Sequence, residues 1–239
     1  MISVLKKRTM GILLALLILA ISACSTDSEP LNSDNATTAR YRLTFKSNWN
    51  ALDFPTNFPV NRHFSDLIGV VHREGAHIWE VGQTASTGIE NVAELGVNTE
   101  LEGEINSGTG MAGEGELVSG GGIPVDQDSV VLTFNITVDY PCISLISMVA
   151  PSPDWFVGVE NLSLRKDGDW IERMAVDLPV YDAGTDDGAT FVAPNSDSNP
   201  PGTIALLSSD AADTDFQNGV HRNEPTLHIA SFVFERIDN

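Results

Sequence analysis

Basic residues are scarce in this sequence. Its 239 residues include 13 Lys and Arg against 33 Asp and Glu, which gives a formal net charge of −20. A surface this acidic repels phosphate backbones, so we expect no nucleic-acid partner. The same surface suits divalent cations and basic partners, although solubility alone also accounts for much of the charge.

The sequence also lacks an apolar run long enough to span a bilayer. Its longest, Gly11–Ile21, is shorter than the about 20 residues that a spanning helix needs. Basic residues precede this run, and small residues follow it, so residues 1–23 read as an export signal. The order Ile21-Ser22-Ala23-Cys24 resembles the bacterial lipobox, which predicts that Cys24 is lipidated and anchors the protein to a membrane. Ser25 in place of Asp favours the outer membrane of a bacterial cell envelope; plain secretion and an uncleaved anchor are the alternatives.

Cysteine is nearly absent, since only Cys24 and Cys142 occur. Lipidation of Cys24 leaves Cys142 without a partner, so a fold built on disulfides is excluded. Cys142 lies beside Ile143 in an apolar run, where we expect a buried thiol that packs as a small hydrophobic side chain.

After the leader, the sequence predicts a flexible tether over residues 24–39 and one domain over residues 40–239. The tether is rich in Ser, Thr, Asn and Asp, whereas the domain alternates short apolar segments with turn residues. This pattern predicts a mainly β fold, an antiparallel β-sandwich with one short helical insertion. We expect strands at Tyr41–Phe45, Leu67–Val71, Ala76–Val81, Val130–Val138, Ile143–Val149, Phe156–Leu164, Trp170–Val176, Thr203–Leu207 and Leu227–Ile237.

The helical insertion is expected within Thr84–Ile105. Ser86 or Thr87 is suited to cap its start, Gly96 to end its first helix, and Asn98 to cap a second short turn. The glycine-rich stretch Gly103–Gly122 predicts a mobile surface loop.

Three aspartates, Asp154, Asp182 and Asp186, suggest a calcium site. Gly184 lets the second and third fold towards one centre, and a hairpin at Asp167–Gly168 is expected to bring Asp154 to the same sheet edge. Converging carboxylates repel one another unless a cation neutralises them, and oxygen ligands without His or Cys favour Ca²⁺. The alternative is that these are ordinary turn residues, since Asp and Gly are common in turns.

Several motifs then carry a family resemblance. They are Phe64-Ser65, Ile68-Gly69-Val70, SLISMVAPSPDWFVG over Ser144–Gly158, and YDAGTDDG over Tyr181–Gly188. Together with the closing strand they resemble the spondin domain of F-spondin, mindin and bacterial lipoproteins. The resemblance implies a calcium-binding β-sandwich that acts in extracellular matrix and cell adhesion, with Asp154, Asp182 and Asp186 as the metal ligands. Asp187 departs from the family pattern, and the resemblance leaves open whether it binds the ion or faces solvent.

These observations predict a lipid-anchored, calcium-dependent binding or adhesion module with a protein or glycan ligand at the cell surface. One alternative is a secreted hydrolase acting on envelope glycans or esters, with a base among His63, His72, His77, His221 and His228. No Gly-x-Ser-x-Gly or His-Glu-x-x-His motif supports it, so we expect no enzyme and no catalytic residue. A third possibility is a structural envelope protein whose ion only stiffens the loops. Trp155 discriminates here: exposure beside the ion would suit ligand contact, and burial would suit a core role.

Overall fold

Strand β1, Thr38–Ser47, alternates outward and buried side chains along its length, as the sequence pattern predicts. The computed structural model describes residues 36–55, 57–108, 115–207 and 228–238. The leader, Cys24, most of the predicted tether and His221 lie outside these residues. Strand β1 begins two residues before the predicted domain boundary at Arg40, and Ala39 is already buried in the core.

A four-stranded sheet forms around β1. Its order is β10 (Arg173–Leu178), β13 (Ala230–Arg236), β1 and β5 (Ser129–Thr137), and all its pairings are antiparallel. Tyr41 in β1 faces Arg236 of β13 and Phe134 of β5. The closing strand therefore lies beside the opening one, which ties the two ends of the domain together.

A larger sheet packs against the first. Its order is β12 (Ala205–Leu206), β11 (Val180–Asp182), β7 (Trp155–Ser163), β6 (Cys142–Ala150), β3 (Ile68–His72) and β4 (Gly115–Ser119), with β2 (His63–Phe64) also paired to β6. Strands β8 (Arg165–Lys166) and β9 (Asp169–Trp170) form the predicted hairpin at Asp167–Gly168. The two sheets confirm the predicted antiparallel β-sandwich.

The inward faces of the two sheets make the main core. It includes Tyr41, Leu43, Phe45, Phe232 and Phe234 from the small sheet, with Ile143, Leu145, Val149 and Val157 from the large sheet. All four tryptophans are buried. A core position was predicted for Trp49, Trp79 and Trp170, whereas for Trp155 the sequence left burial and exposure open. Cys142 is a free, buried thiol, which confirms its predicted role.

Two helices, α1 (Thr87–Leu95) and α2 (Thr99–Ser107), cover the outer face of the large sheet. Their apolar residues join Ile68, Val70, Ile146 and Phe156 in a second cluster. Strand β6 is consequently buried at all nine positions, because it has the sandwich core on one side and the helices on the other. Within the described residues, no helix is long and apolar enough to cross a membrane.

The predicted boundaries of α1 and the predicted start of α2 after Asn98 are confirmed, but α2 has no side-chain cap and runs beyond Glu102 to Ser107. The Ser86 hydroxyl accepts a hydrogen bond from Ile89 N at 3.2 Å, and Gly96 ends α1 with a left-handed φ of 66°. Asn98 immediately precedes α2 but makes no capping hydrogen bond; its side-chain nitrogen donates to the Asp66 carbonyl at 3.2 Å.

The predicted loop over Gly103–Gly122 is wrong at both of its ends, while residues 109–114 lie outside the described part of the chain. Helix α2 continues to Ser107, and β4 occupies Gly115–Ser119 at the edge of the large sheet. A Cβ atom at Gly115 would lie 1.9 Å from the Val71 carbonyl oxygen, so this glycine permits close strand pairing. Ala76–Val81, predicted as a strand, is irregular, and the burial of Trp79 explains its apolar pattern.

Strand pairing after β7 differs from the prediction as well. The hairpin expected at Asp167–Gly168 would place Trp170–Val176 antiparallel beside Phe156–Leu164, but β10 pairs with β13 in the opposite sheet. The chain returns to β7 only through β11, whose Val180 faces Val157. Alternation identifies strands but not their partners, which is why the local hairpin was the default expectation.

Candidate metal centre

The three predicted aspartates meet at one end of β7 and β11. Asp154 immediately precedes β7, and Asp182, the last residue of β11, faces Trp155 across the sheet. The Ala183 amide donates to the Asp154 carbonyl at 3.1 Å, so the chain leaving β11 is tied to the chain entering β7. The structure thus brings Asp154 and Asp182 to one edge as predicted, but through β11 rather than through a hairpin.

The loop after β11 folds over the carboxylate of Asp154. Asp154 Oδ2 accepts hydrogen bonds from Thr185 N at 2.7 Å, Asp186 N at 3.1 Å and the Thr185 hydroxyl at 3.3 Å. This fold needs Gly184, which has a φ of +75° and where a Cβ atom would lie 2.8 Å from backbone atoms of Gly202 and Thr203. Asp154 therefore organises the loop that carries Asp186.

The second carboxylate oxygen of Asp154, Oδ1, receives no hydrogen bond from the described part of the chain, in contrast to Oδ2. Asp154 is fully buried, and its Oδ1 has no hydrogen-bond partner among the described residues. A buried acceptor without a partner costs about 1–3 kcal/mol, and more when it is charged. Burial accordingly raises the pKa of Asp154, although the hydrogen bonds from Thr185 and Asp186 oppose that shift.

Asp182 and Asp186 add negative charge to the same corner. Burial raises the pKa of Asp182 to about 6, and the charges of Asp154 and Asp186 contribute in the same direction. Asp182 Oδ1 accepts a hydrogen bond from Gly184 N at 2.8 Å. The two oxygens of Asp186, which is 4% exposed, accept from Gly188 N at 2.7 Å and Ser196 N at 2.8 Å.

A fourth acid, Glu94 of α1, also faces this corner and was missed from the sequence. Its side chain hydrogen-bonds that of Thr185, and burial raises its pKa, with Asp154 and Asp186 adding to the effect. A signal was present, because Glu94 lies in the last turn of a helix, where the helix dipole disfavours an acid. We call Glu94, Asp154, Asp182 and Asp186 the acidic corner.

Asp187 does not join the acidic corner. Its side chain is exposed, and Oδ1 accepts a hydrogen bond from the Ser198 hydroxyl at 2.6 Å. Of the two possibilities left by the sequence, the structure favours a solvent-facing residue.

The chemistry of the acidic corner fits a hard cation. Its donors are carboxylate oxygens, and the unpartnered Oδ1 of Asp154 lacks what a cation would supply. Across the described residues, however, no three His, Cys, Asp or Glu side chains form a ready-made metal cluster. The acids share a corner without converging on one point, so backbone carbonyls or water must complete any coordination sphere.

The buried Trp155 bears on how such a site would act. This side chain is 1% exposed and packs against Phe191 with ring centroids 5.3 Å apart. Because burial of Trp155 was expected to mean a core role and exposure a ligand contact, Trp155 is a core residue and offers no contact surface to a ligand.

His72 is not accessible as a catalytic base. His72 Nε2 lies 2.8 Å from Ser144 Oγ, but both residues are 0% exposed and no substrate can reach them. His72 Nδ1 bonds the Arg73 carbonyl, and Ser144 Oγ accepts from Asn161 N at 2.8 Å. His77 pairs with Glu160. These contacts place His72 as a satisfied core residue.

Comparison with known proteins gives a consistent set of relatives. The family model described as Spondin_N matches residues 39–224. Human Spondin-2 is 31% identical over 203 residues, which cover 82% of this chain and 61% of the relative. Spondin-1 of Gallus gallus is 34% identical over 191 residues, covering 77% of this chain and 24% of the relative. The chain therefore spans about six tenths of the first relative and about a quarter of the second.

Proposed function

The chain belongs to the Spondin_N family, and from that membership we propose that it is a calcium-binding module at the bacterial cell surface, where it binds a protein or glycan ligand. The observation that carries the calcium proposal is the unpartnered Oδ1 of buried Asp154 beside two further acids of the same loop. Glu94 extends the predicted ligand set of Asp154, Asp182 and Asp186.

Calcium would act by stabilising the loop that Asp154 organises. Without a cation, burial and mutual repulsion raise the pKa of Asp154, Asp182 and Glu94, so their charged forms are unfavourable. A divalent cation would offset that repulsion and hold residues 183–188 against β7. The resulting rigid loop surface, rather than buried Trp155, would then meet the ligand.

Calorimetric titration of the purified protein with CaCl₂ tests the calcium proposal. We expect one binding event, and a rise in melting temperature that chelator reverses. At a calcium concentration about 100 times the dissociation constant, binding adds about 2.7 kcal/mol to the stability. Asp187→Asn is the matched control, since it removes one negative charge from the same loop but should leave the affinity nearly unchanged. An absence of heat together with unchanged melting at millimolar calcium would contradict the proposal.

The anchor is a separate part of the proposal and rests on the lipobox ending at Cys24. Labelling of expressing bacteria with a clickable fatty acid should mark the wild-type protein, and Cys24→Ala should lose both the label and the outer-membrane fractionation. Equal labelling of the two proteins would overturn the anchor and leave the calcium proposal intact.

The ligand itself is tested by capture on the purified protein with and without calcium. We expect a cell-surface protein or glycan to be retained only with calcium, and not by Asp182→Ala. Because the chain covers only part of its relatives, their partners are not assumed for it. Calcium binding without calcium-dependent capture would favour the alternative of a structural envelope protein.

A further inference from the structure

A polar cavity lies outside the acidic corner. It is formed where the end of β1 meets the start of β5 and the chain before β13. Its volume is about 500 Å³, within the range of about 300–1,000 Å³ typical of small-molecule sites. Among the residues lining it are Lys46, Trp49, Asn50, Arg62, Asp128 and His228. Two of the 13 Lys and Arg residues of the chain, Lys46 and Arg62, and one of its five His residues, His228, line this cavity together with three acids, Asp53, Asp128 and Asp177.

Three residues of this cavity carry a buried nitrogen atom without a hydrogen-bond partner within the described ranges. They are Trp49 Nε1, Arg62 Nη1 and His228 Nδ1. We call this set the donor cavity. The indole and guanidinium nitrogens only donate, and the histidine nitrogen donates in one tautomer and when protonated. Buried donors are rarely left unpaired, so three of them among the residues that line one cavity favour an acceptor supplied by a ligand or by water.

Asp128 does not supply that acceptor to Arg62. Asp128 Oδ1 lies 3.8 Å from Arg62 Nη2, beyond hydrogen-bonding distance, and the Asp128 side chain is 85% exposed. The Arg62 side chain is only 15% exposed, so one arm of its guanidinium is directed to the surface pair while Nη1 stays buried.

The walls of the donor cavity are held in place by hydrogen bonds. Asn50 Oδ1 accepts from Leu52 N at 2.9 Å and Asp53 N at 3.1 Å, which fixes the turn after β1. Ser47 N donates to the Asp128 carbonyl and Asn48 N to the Ile229 carbonyl, both at 2.8 Å. The three chain segments are therefore joined, and the cavity is preformed rather than dependent on a ligand.

We propose that the donor cavity binds a carboxylate that also carries hydroxyl groups, the chemistry of a uronic acid. A guanidinium fork recognises a carboxylate with two parallel hydrogen bonds, and the Trp49 and His228 nitrogens add further donors. Asp53, Asp128 and Asp177 also line the cavity; their carboxylates would accept hydrogen bonds from the hydroxyl groups, and their charge disfavours a dianion more than a monoanion. This site does not depend on the calcium proposal, because it shares no residue with the acidic corner.

Titration of the ¹⁵N-labelled protein, followed by the tryptophan indole resonances, tests the proposal. Trp49→Phe assigns the Trp49 signal, since it removes the N–H and keeps an aromatic ring. Glucuronate should shift that signal saturably, acetate should bind more weakly, and glucose and sulfate should leave it nearly unchanged. Arg62→Gln should weaken glucuronate binding by about tenfold or more, whereas Arg42→Gln, on the exposed face of β1, should not.

Each other outcome counts against the proposal. Absence of a saturable shift with glucuronate overturns it, and so does an equal shift with glucose, which would show that the carboxylate is not recognised. Tighter binding of sulfate than glucuronate would replace it with a general anion site. Unchanged affinity in a folded Arg62→Gln variant would also overturn it. If that variant does not fold, Arg62→Lys keeps the charge but loses the fork and should still weaken glucuronate binding several-fold.

Discussion

The acidic corner and the donor cavity are opposite in chemistry. In the acidic corner, a buried carboxylate oxygen of Asp154 lacks a donor, while in the donor cavity buried nitrogens of Trp49, Arg62 and His228 lack an acceptor. Phe191 packs against Trp49 of the donor cavity and against Trp155, which follows Asp154 of the acidic corner; the ring centroids are 5.0 and 5.3 Å apart. The two regions are therefore neighbours across this one aromatic side chain. The difference suits the two proposals: a cation would satisfy the acceptor in the acidic corner, and a ligand with acceptor oxygens would satisfy the donors in the donor cavity.

Asp154→Asn should have the largest effect on this comparison. The asparagine oxygen can still accept the hydrogen bonds from Thr185 and Asp186, but the negative charge is lost at the most buried position. We expect calcium affinity to fall by at least about 100-fold, equivalent to about 2.7 kcal/mol. Calorimetry measures the loss, with Asp187→Asn as the equal-charge control, and wild-type affinity in the Asp154 variant would rule out a cation at this carboxylate.

Asp182→Asn should change stability with opposite signs in chelator and in calcium. The raised pKa of Asp182, about 6, means that its charge is unfavourable in the metal-free fold. Removing the charge should raise the melting temperature by a few degrees in chelator and lower calcium affinity by about tenfold. Differential scanning calorimetry in both conditions checks this crossing. A lower melting temperature than wild type in both would show that Asp182 acts only through its hydrogen bond to Gly184.

The sequence predicted the acidic corner better than the donor cavity, and the reason is physical. Asp182 and Asp186 are close in the chain around one glycine, so local turn chemistry identifies them. Trp49, Arg62 and His228 come from separate segments; the pairing of β1 with β13 brings Trp49 near His228, and Arg62 arrives from the chain before β2 in the other sheet. Glu94 was missed for the same reason, since it reaches the corner from a helix about sixty residues before Asp154.

For the fold too, the sequence predicted local features but not which distant segments pack together. Alternating side chains predicted the sandwich because each strand has to bury one face, and β1 does so over its whole length. The prediction that β10 pairs with β7 failed because a local hairpin and a crossing to the other sheet leave the same sequence pattern. Strand β6 has no alternation at all, since the helices cover its outer face, and this third layer could not be inferred from β6 alone.

Matched Trp→Phe substitutions should measure the cost of the unpartnered indole in the donor cavity. Trp170 Nε1 donates to the Ala36 carbonyl at 2.8 Å, whereas Trp49 Nε1 has no partner in the described structure. Both changes remove similar apolar area, but only Trp170→Phe also removes a hydrogen bond. We expect Trp170→Phe to be more destabilising by about 1–2 kcal/mol in urea unfolding without added anion. Equal costs would imply that water already satisfies the Trp49 nitrogen.

His72 is also buried, but both of its ring nitrogens have hydrogen-bond partners, unlike the unpartnered atoms of the two sites. Its contribution to the pH dependence of stability should be the smallest of the effects predicted. Burial lowers its pKa, with His77 adding to this and the Arg73 carbonyl and Glu160 opposing it. Below the unfolded value of 6.5, the unfolded chain therefore binds a proton that the folded protein resists, and stability falls as the pH falls. Between pH 7.5 and 6.0, this single group should cost the wild type less than about 1 kcal/mol. Urea unfolding across that range should show a flatter pH dependence for His72→Gln, even though the variant is less stable at every pH. The same slope in both proteins would mean that His72 takes up its proton in the folded state, and that its contacts with Ser144 and Arg73 do not hold it neutral.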